Sequence, residues 1–275
     1  MRKNKSLLIS TPYMIWMLVF TLIPLGVVLY YSLTDSPTTG NFTLANLKQL
    51  VDYLPVFGQS VWYSLISALI CLIIGYPVAY YIAHAKPMTQ KILYMLVMLP
   101  MCMSFLLRTL AWVGLLQDTG IINSLLGKLG IGPLPLIRNS GAVILGMVYN
   151  YLPYMILPLY SIIVKIDHRL IEAAEDLGCT PSKVFTKVIL PLSMPGILTG
   201  ITMVFVPAVS TFYISNKLGS TETILIGDII ERQFKQGDNA NMGAALSLLL
   251  MLLVFVCTGI INRFGGGDEE GTVIV

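Results

Sequence analysis

Six apolar stretches, each close to the length of a bilayer-spanning helix, constrain this chain more than any other feature of its sequence. The hydrocarbon core of a bilayer is about 30 Å thick and takes about 20 residues of helix. Only 11% of the residues are charged and the mean hydropathy is +0.79, which excludes a soluble globular domain of this length. The sequence therefore predicts an all-α integral membrane protein. It would form a single transmembrane domain over 1–275, with six spans at about 7–33, 61–83, 92–116, 141–164, 188–215 and 242–261.

The first apolar run follows a basic hexapeptide that contains Arg2, Lys3 and Lys5. A secretory signal peptide is the alternative interpretation of such a start. The run is longer than the hydrophobic region of a signal peptide and lacks a small-x-small cleavage site. We therefore expect an uncleaved first span.

Prolines predict irregular helices in two of the spans. Pro100 interrupts the third span, and the fifth contains Pro191, Pro195 and Pro207. A proline removes a helical hydrogen bond, and its ring clashes with the carbonyl four residues earlier. The fifth span should therefore be kinked or broken.

The positions of lysine and arginine predict the orientation of the chain, because cytoplasmic loops carry the excess of these residues. With the N-terminus in the cytoplasm, ten fall in inside segments, six fall in outside loops, and Arg108 lies within a span, which accounts for all 17. Both termini and the polar loop 165–187 would then be cytoplasmic.

Several classes of function lack the residues that they need. The net charge of +3 is small and the basic residues are scattered, so no nucleic-acid-binding patch is predicted. The four cysteines have no CxxC spacing, and two histidines are too few for a protein-bound metal centre. We therefore expect this chain to bind no metal or cofactor itself.

The interiors of the spans contain no aspartate, glutamate or histidine. Proton- or ion-coupled carriers normally use such groups inside the membrane, where a charge is costly and usually functional. A secondary carrier or channel is therefore the less favoured alternative. A membrane enzyme would lack a catalytic constellation, and an energy source outside the spans, such as ATP, fits better.

Arg108 is the single charged residue within a span. It lies about 16 residues beyond the start of the third span, or roughly 24 Å of helical rise, which places it near the outer interface. Snorkelling to the outer headgroups is one interpretation. A gate or a contact between subunits is the other.

Aromatic residues of the fourth and fifth spans form a candidate transport path. Tyr149 and Tyr154 lie near a proline in the fourth span, and Phe212 and Tyr213 end the fifth. Aromatic belts at membrane interfaces explain such clusters as well. As a path, tyrosine faces would attract an organic cation without binding it tightly.

The polar loop 165–187 has the local chemistry of a helix, a sharp break and a second helix. Asp167 is suited to cap the first helix. Gly178 stands where a helix end requires the left-handed conformation, which only glycine adopts cheaply. Thr180 and Pro181 are suited to the N-cap and the first position of the second helix.

The first helix of this loop has the features of a docking element. Ala173 and Ala174 leave it without bulk on one side, so a partner surface could approach the backbone closely. Glu172, Glu175 and Asp176 place charge around that patch. An ordinary amphipathic connector is the alternative interpretation.

The spacing of seven residues in this region resembles the EAA signature of ABC-importer permease subunits. The signature reads E-A-A-x3-G-x9-I-x-L-P, and this chain matches it, with valine in place of the usual isoleucine, at Glu172, Ala173, Ala174, Gly178, Val188, Leu190 and Pro191. The resemblance implies a type I ABC-importer permease fold. It also implies that the loop is the coupling helix, which sits in a groove of a separate ATPase subunit.

A more extended resemblance covers most of residues 121–235. The stretches NSLLGKLGI, VYNYLPYMILPLYSIIVKIDHRLIEAAEDLG, LPLSMPGILTG and LIGDIIERQF are similar to those of spermidine/putrescine importer permeases, specifically the first of their two permease types. Sister families for sulfate, ferric iron and phosphate share the six-span plan and remain alternatives.

The resemblance implies the rest of the transporter. The chain would be a non-catalytic permease subunit in the cytoplasmic membrane of a bacterium. Its partners would be a second permease, favoured to be a different chain, two copies of an ATPase that bind ATP and magnesium, and an extracytoplasmic solute-binding protein. The outer amphipathic segment 224–234, with Asp228 and Glu231, is either a contact for the binding protein or an ordinary solvated loop.

Overall fold

The computed structural model describes residues 2–34, 41–43, 45–235 and 239–264. For residues 2–10, 262 and 264 only the backbone is described. The C-terminal residues 265–275 lie outside the described residues.

Thirteen α-helices account for most of the described chain. They are α1 (Arg2–Ser32), α2 (Ala45–Gln49), α3 (Leu54–His84), α4 (Pro87–Met98), α5 (Phe105–Leu116), α6 (Ile121–Lys128), α7 (Ser140–Ile163), α8 (His168–Asp176), α9 (Pro181–Val184), α10 (Leu190–Val209), α11 (Tyr213–Leu218), α12 (Ile226–Lys235) and α13 (Ala240–Phe264). Short 3₁₀ turns occur at Leu50–Tyr53, Leu99–Cys102 and Thr221–Thr223, and a π-helical turn occurs at Phe185–Ile189. No strand forms within the described ranges, where Thr34 and Phe42 make an isolated bridge.

Six helical stretches are long and apolar enough to cross a membrane. They are Thr11–Ser32, Ala45–His84, Phe105–Lys128, Ser140–Ile163, Pro181–Val209 and Ala240–Ile261. The prediction of an all-α protein with six spans is therefore confirmed.

The third predicted span, 92–116, is not one helix. α4 ends at Met98, a 3₁₀ turn that contains Pro100 follows, and Met103 is extended before α5 begins at Phe105. Pro100 cannot donate a backbone hydrogen bond, so the helical ladder weakens at this point. The membrane-length stretch in this region is instead Phe105–Lys128.

The fifth predicted span, 188–215, is irregular as expected. A π-helical turn precedes it, α10 ends at Val209, and a separate short helix begins at Tyr213. The helical part is thus shorter than predicted at its C-terminal end.

The described chain divides into two compact units. One comprises Met1–Phe57 and Ile229–Leu253, and the other comprises Gly58–Asp228 and Val254–Val275.

In the first unit, two buried amides satisfy the backbone at the end of α1. The Asn241 Nδ2 donates to the carbonyls of Tyr31 and Thr34 at 3.0 and 2.7 Å. The Asn46 Nδ2 donates to the Thr34 carbonyl at 2.9 Å. A helix leaves its last carbonyls without partners, and these side chains supply them in a region with little access to water.

In the second unit, α7 is the central helix. The side chains of Met147, Met155 and Leu159 on this helix are completely buried. On α10, Gly196 and Gly200 face α7, and a Cβ at Gly196 would lie 3.1 Å from the Pro158 carbonyl oxygen. Small residues four apart allow two membrane helices to approach closely, so these glycines set the distance between α7 and α10.

We expect Gly196→Val to destabilise the second unit. The new side chain would meet the Pro158 carbonyl oxygen and the Ile162 Cβ, which lie 3.1 and 3.2 Å from its Cβ and are fixed by the α7 backbone. Overpacking of this kind costs about 1–3 kcal/mol, so the melting temperature of the detergent-purified complex should fall. Gly114→Val on α5 is the matched control, because nothing lies within 4 Å of a Cβ there. Equal melting temperatures for the two variants would contradict the close-packing role.

Candidate coupling loop and transport path

The first helix of the coupling loop, α8, begins as the sequence predicts. The Asp167 Oδ1 accepts a hydrogen bond from the Arg169 backbone N–H at 3.0 Å, and the Asp167 carbonyl accepts one from Leu170. An N-cap of this kind satisfies donors that the first helical turn leaves free.

The end of α8 is a Schellman motif built on Gly178. The backbone N–H of Gly178 donates to the Glu175 carbonyl at 2.8 Å, and that of Cys179 donates to the Ala174 carbonyl at 3.1 Å. This pair of bonds requires a left-handed residue between them, and Gly178 has a φ of +81°. The predicted left-handed glycine is therefore confirmed, and it fixes the angle between the two loop helices.

The two alanines of the signature have different environments. Ala173 is exposed, whereas Ala174 is buried in a small cluster with Val184 and Ile189. The expectation that both alanines form one bare patch is therefore wrong. Ala174 lies inside because α8 folds back on the second loop helix, where only a small side chain leaves room.

The outward face of α8 is an apolar stripe with acidic neighbours. Leu170, Ala173 and Leu177 are all exposed, and Leu177 is 86% exposed. Their spacing of three and four residues places them on one face of the helix. Glu172 stands beside them, with its carboxylate 3.8 Å from the His168 imidazole. Sequence reasoning missed both leucines, although their spacing was visible in the sequence.

The second loop helix starts at Pro181 as predicted. The Thr180 carbonyl accepts from Lys183 and Val184, but the Thr180 side chain makes no capping hydrogen bond. The predicted side-chain cap at Thr180 is therefore absent, and proline at the first helical position starts the helix by its backbone geometry.

A π-helical turn explains the Leu-Pro pair that ends the signature. The Leu190 N–H donates to the Phe185 carbonyl, five residues earlier, and Pro191 follows directly. A proline ring in a regular α-helix clashes with the carbonyl four residues before it, and a wider turn relieves that clash. Leu190 is half-buried against the main core of the second unit, while Pro191 is exposed.

Phe185 joins the coupling loop to α3. Its ring lies edge-on to Tyr76 and Tyr80, with centroids 5.5 and 6.2 Å apart. The Tyr76 hydroxyl is also hydrogen-bonded to the Ser193 hydroxyl of α10 at 2.8 Å. A displacement of this loop would therefore alter contacts with both α3 and α10.

The aromatic residues predicted to line a path fall into two groups. Tyr154 contacts Tyr151, which stacks with Phe105, and Phe105 in turn contacts Tyr213, with ring centroids 6.3–6.4 Å apart. The structure thus brings Tyr154 and Tyr213 into one cluster.

Tyr149 lies apart from this cluster, since its ring packs against Trp112 at 5.4 Å. Phe212 is 41% exposed at the N-cap of α11 and makes none of the ring contacts found among the described residues. Sequence reasoning missed Phe105 and Trp112, because nothing in the sequence indicates which face of α5 meets α7.

Arg108 is buried in the second unit and is only 7% exposed. Its Nε and Nη1 have no hydrogen-bond partner among the described residues. Burial of the guanidinium within this chain argues against both snorkelling to the headgroups and a contact with another subunit, and the interpretation of Arg108 as a gate stays a prediction.

The two acidic residues of α12 also differ from each other. Asp228 is buried, and its Oδ2 accepts from the Leu225 backbone N–H at 3.0 Å. Glu231 is partly exposed and pairs with Lys235 at 2.6 Å. The buried Asp228 carboxylate therefore stabilises the start of α12. Of the two acidic residues, only Glu231 is exposed enough to contact a partner protein.

The family of the chain follows from comparison with known proteins. The family described as the binding-protein-dependent transport system inner membrane component matches residues 75–265. This chain belongs to that family and is a multi-pass membrane protein. Such a subunit is a permease and not an enzyme, and the ATPase of the transporter is a separate subunit.

Individual relatives indicate which members of this family the chain resembles. The chain is 39% identical over 255 residues to the spermidine/putrescine transport system permease protein PotB of Haemophilus influenzae, with 88% of both chains covered. It is 37% identical over 217 residues to PotB of Escherichia coli K12, with 78% of this chain and 79% of that protein covered.

Solved structures show the same fold at lower identity. A bacterial ABC transporter that imports the polysaccharide alginate matches with a TM-score of 0.81, over 98% of both chains at 18% identity. The MetNI methionine ABC transporter matches with a TM-score of 0.61, over 79% of this chain and 96% of that one. The chain thus has the type I ABC-importer permease fold.

We expect Gly178→Val to destabilise the coupling loop more than Gly178→Asn. Left-handed backbone costs an ordinary residue roughly 1–2 kcal/mol, and asparagine tolerates it better than a β-branched residue. Amide hydrogen exchange at Gly178 and Cys179 would report the loss of the Schellman bonds. Gly130→Val, at another left-handed glycine (φ +76°), should leave exchange in the loop unchanged. Intact protection in Gly178→Val would contradict the assignment.

Proposed function

We propose that this chain is one permease subunit of an ATP-driven, binding-protein-dependent importer of polyamines such as spermidine and putrescine. The observation that carries the proposal is its similarity to spermidine/putrescine permeases, at 37–39% identity over 78–88% of the chain. The geometry of the coupling loop supports the same class of transporter.

The complete transporter would contain this chain, a second permease, two ATPase subunits and an extracytoplasmic binding protein. ATP and magnesium would bind to the ATPase subunits. The excess of lysine and arginine in one set of loops supports a cytoplasmic coupling loop and cytoplasmic termini. Glu231 of α12 would then face the binding protein.

The exposed stripe on α8 is the docking surface for the ATPase. Leu170, Ala173 and Leu177 would enter an apolar groove, with Glu172 at the rim. Burying an exposed leucine contributes about 1.5–3 kcal/mol, so Leu177 alone would account for a large part of the affinity. The Gly178 turn holds the stripe at a fixed angle to the spans.

The loop would transmit closure of the ATPase dimer through packed side chains. Ala174 joins α8 to Val184 and Ile189, and Phe185 joins that segment to Tyr76 on α3. A movement of α8 transmitted through these contacts would favour one conformation of the spans over the other. ATP and the loaded binding protein need only bind the two conformations with different affinities.

The path for the solute would follow the aromatic cluster of the second unit. Tyr154 and Tyr213 are joined in that cluster through Tyr151 and Phe105. Aromatic faces attract ammonium groups by about 0.5–2 kcal/mol each, which suits passage without retention. Tyr149 and Phe212 would line other parts of the path, away from this cluster.

An anionic solute such as sulfate or phosphate is the second candidate, and one observation favours it. The buried guanidinium of Arg108 has unpaired donors, and arginine is suited to bind oxyanions. The similarity to polyamine permeases outweighs this single residue.

We expect Leu177→Asp to weaken docking while the permease itself folds normally. Placing a carboxylate in an apolar groove removes the leucine contribution and adds a desolvation cost. Affinity for the ATPase, measured by pull-down from detergent, should fall about tenfold or more. Leu129→Asp is the matched control, since Leu129 is 75% exposed at the end of α6. Retained ATPase in the Leu177 variant would overturn the docking surface.

The test of the proposed function is uptake into proteoliposomes. Vesicles would contain this chain with its second permease and ATPase, and the binding protein would be added outside. Labelled spermidine, putrescine and sulfate would be compared with and without ATP. We expect spermidine or putrescine uptake that requires both ATP and the binding protein.

Other results would revise the proposal in distinct ways. An assembled complex that hydrolyses ATP and moves sulfate but no polyamine would retain the importer class and replace the solute. Polyamine uptake that needs neither ATP nor an ATPase would favour a secondary carrier or channel.

A further inference from the structure

An open groove lies between the last two turns of α3 and the second half of α4, both in the second unit. Its volume is about 400 Å³, and its walls are almost entirely apolar. Val78 and Tyr81 line it from α3, and Leu93, Leu96 and Val97 line it from α4. It is a surface groove and not a closed cavity, since Tyr81 is 66% exposed and Leu96 is 55% exposed.

The α3 wall of the groove belongs to Ala45–His84, one of the stretches that are long and apolar enough to cross a membrane. Tyr81 lies within one helical turn of the end of that stretch, so the groove lies close to the level at which the lipid headgroups begin. An empty groove beside hydrocarbon would leave its lining atoms without dispersion contacts. It therefore needs an apolar occupant, which is either a lipid acyl chain or a helix of another subunit.

Lys86 lies at one end of the groove. It is the N-cap of α4, and Leu93 and Val97 follow it by seven and eleven residues. Both separations are close to whole turns of 3.6 residues, so these three residues share one face of α4. The rise from Lys86 to Leu93 is about 10 Å. Lys86 also follows Ile82, which lines the groove from α3, by four residues. Both walls of the groove therefore lead to this lysine.

The charge of Lys86 is not compensated by the helices that form the groove. Residues 53–117, which include all of α3 and α4, contain no aspartate or glutamate. The Lys86 side chain is exposed, and neither ion pair found within the described ranges involves it. An anionic group is therefore the complementary partner for this end of the groove.

An anionic phospholipid combines the two chemistries that the groove requires. Its acyl chains are apolar, and its phosphate is an anion that a short glycerol linker joins to them. Basic pockets between transmembrane helices bind headgroups of this kind. A neutral lipid would fill the apolar part without neutralising Lys86, and a helix of another subunit would fill the groove without using the lysine.

We propose that the groove between α3 and α4 binds an anionic phospholipid, with an acyl chain against Leu93 and Val97 and the phosphate beside Lys86. The lipid belongs to the leaflet on the side of the loop that joins α3 to α4. The inference concerns the membrane around the permease, so it does not depend on which solute the transporter carries.

The test maps the contacts of lipids that carry a photoreactive acyl chain. The transporter complex that contains this chain would be placed in phosphatidylcholine vesicles with a trace of photoreactive phosphatidylglycerol or photoreactive phosphatidylcholine. Mass spectrometry of peptides would identify the cross-linked residues. We expect the groove residues to be labelled about fivefold more strongly by phosphatidylglycerol, which is the preference that one lysine near a membrane surface gives to an anionic lipid.

Two lysines of α4 separate binding in the groove from general attraction to a positive surface. Lys86→Glu reverses the charge at the groove and should remove the preference for phosphatidylglycerol, whereas Lys86→Arg should keep it. Lys91→Glu is the matched control, because Lys91 is an exposed lysine of the same helix, about 200° around its axis from Leu93. This control should keep the preference. An equal loss in Lys86→Glu and Lys91→Glu would overturn the inference.

A bulky substitution tests the acyl chain independently of the charge. Leu96→Trp places a larger ring in the groove, and it does not disturb buried packing because Leu96 is exposed. We expect labelling of the other groove residues by both lipids to fall. Unchanged labelling in this variant would show that the acyl chain lies elsewhere. The variant keeps Lys86, so it tests the inference even if Lys86→Glu fails to assemble.

Two results with the wild type would also contradict the inference. Equal labelling by phosphatidylglycerol and phosphatidylcholine would show that the groove accepts any acyl chain and that Lys86 selects none. Groove residues labelled by neither lipid would show that another protein chain covers them in the assembled transporter.

Discussion

Hydrocarbon offers no hydrogen-bond partners, so the protein must satisfy its own polar groups within the membrane. The six spans are therefore helical, and buried hydroxyls bond to carbonyls of their own helices, as Ser64 does to Ser60 at 2.7 Å. At the end of α1, a side chain from another helix satisfies a free carbonyl, since Asn241 donates a hydrogen bond to the Thr34 carbonyl. Arg108 departs from this rule. A departure that costs free energy and persists is where function is expected.

Outside the spans, the coupling loop is built by backbone hydrogen bonding. Asp167 caps its first helix, and Gly178 closes that helix with two bonds that require a positive φ. The result is a rigid element that exposes Leu170 and Leu177. The same element packs on the spans through Phe185. A short polar segment thus exposes an apolar stripe on one side and contacts α3 on the other, as the proposed docking role requires.

Local chemistry was predictable to the extent that it depends on neighbours in sequence. The number of spans, the cap at Asp167 and the left-handed Gly178 followed from hydropathy, capping preference and glycine geometry. The interruption at Pro100 was also expected, but the membrane-length stretch is Phe105–Lys128 and not 92–116, because hydropathy alone does not show on which side of the break the span lies. Ala174 and Asp228 were expected at the surface, but long-range packing decides burial, and both lie inside. Leu170 and Leu177 lie seven residues apart, so their place on one face of the helix was predictable from the sequence.

The amino-acid sequence by itself determined that the chain spans a membrane, that the spans are helical, and how the loop helices begin and end. Each of these properties depends on residues within about one or two helical turns. The tertiary structure alone decided which faces meet. It placed Tyr154 and Tyr213 in one cluster and set Tyr149 apart. It also brought Phe105 against Tyr151, more than forty residues away in the chain. Contacts of that separation depend on how helices rotate and pack around glycines such as Gly196, which no local pattern encodes.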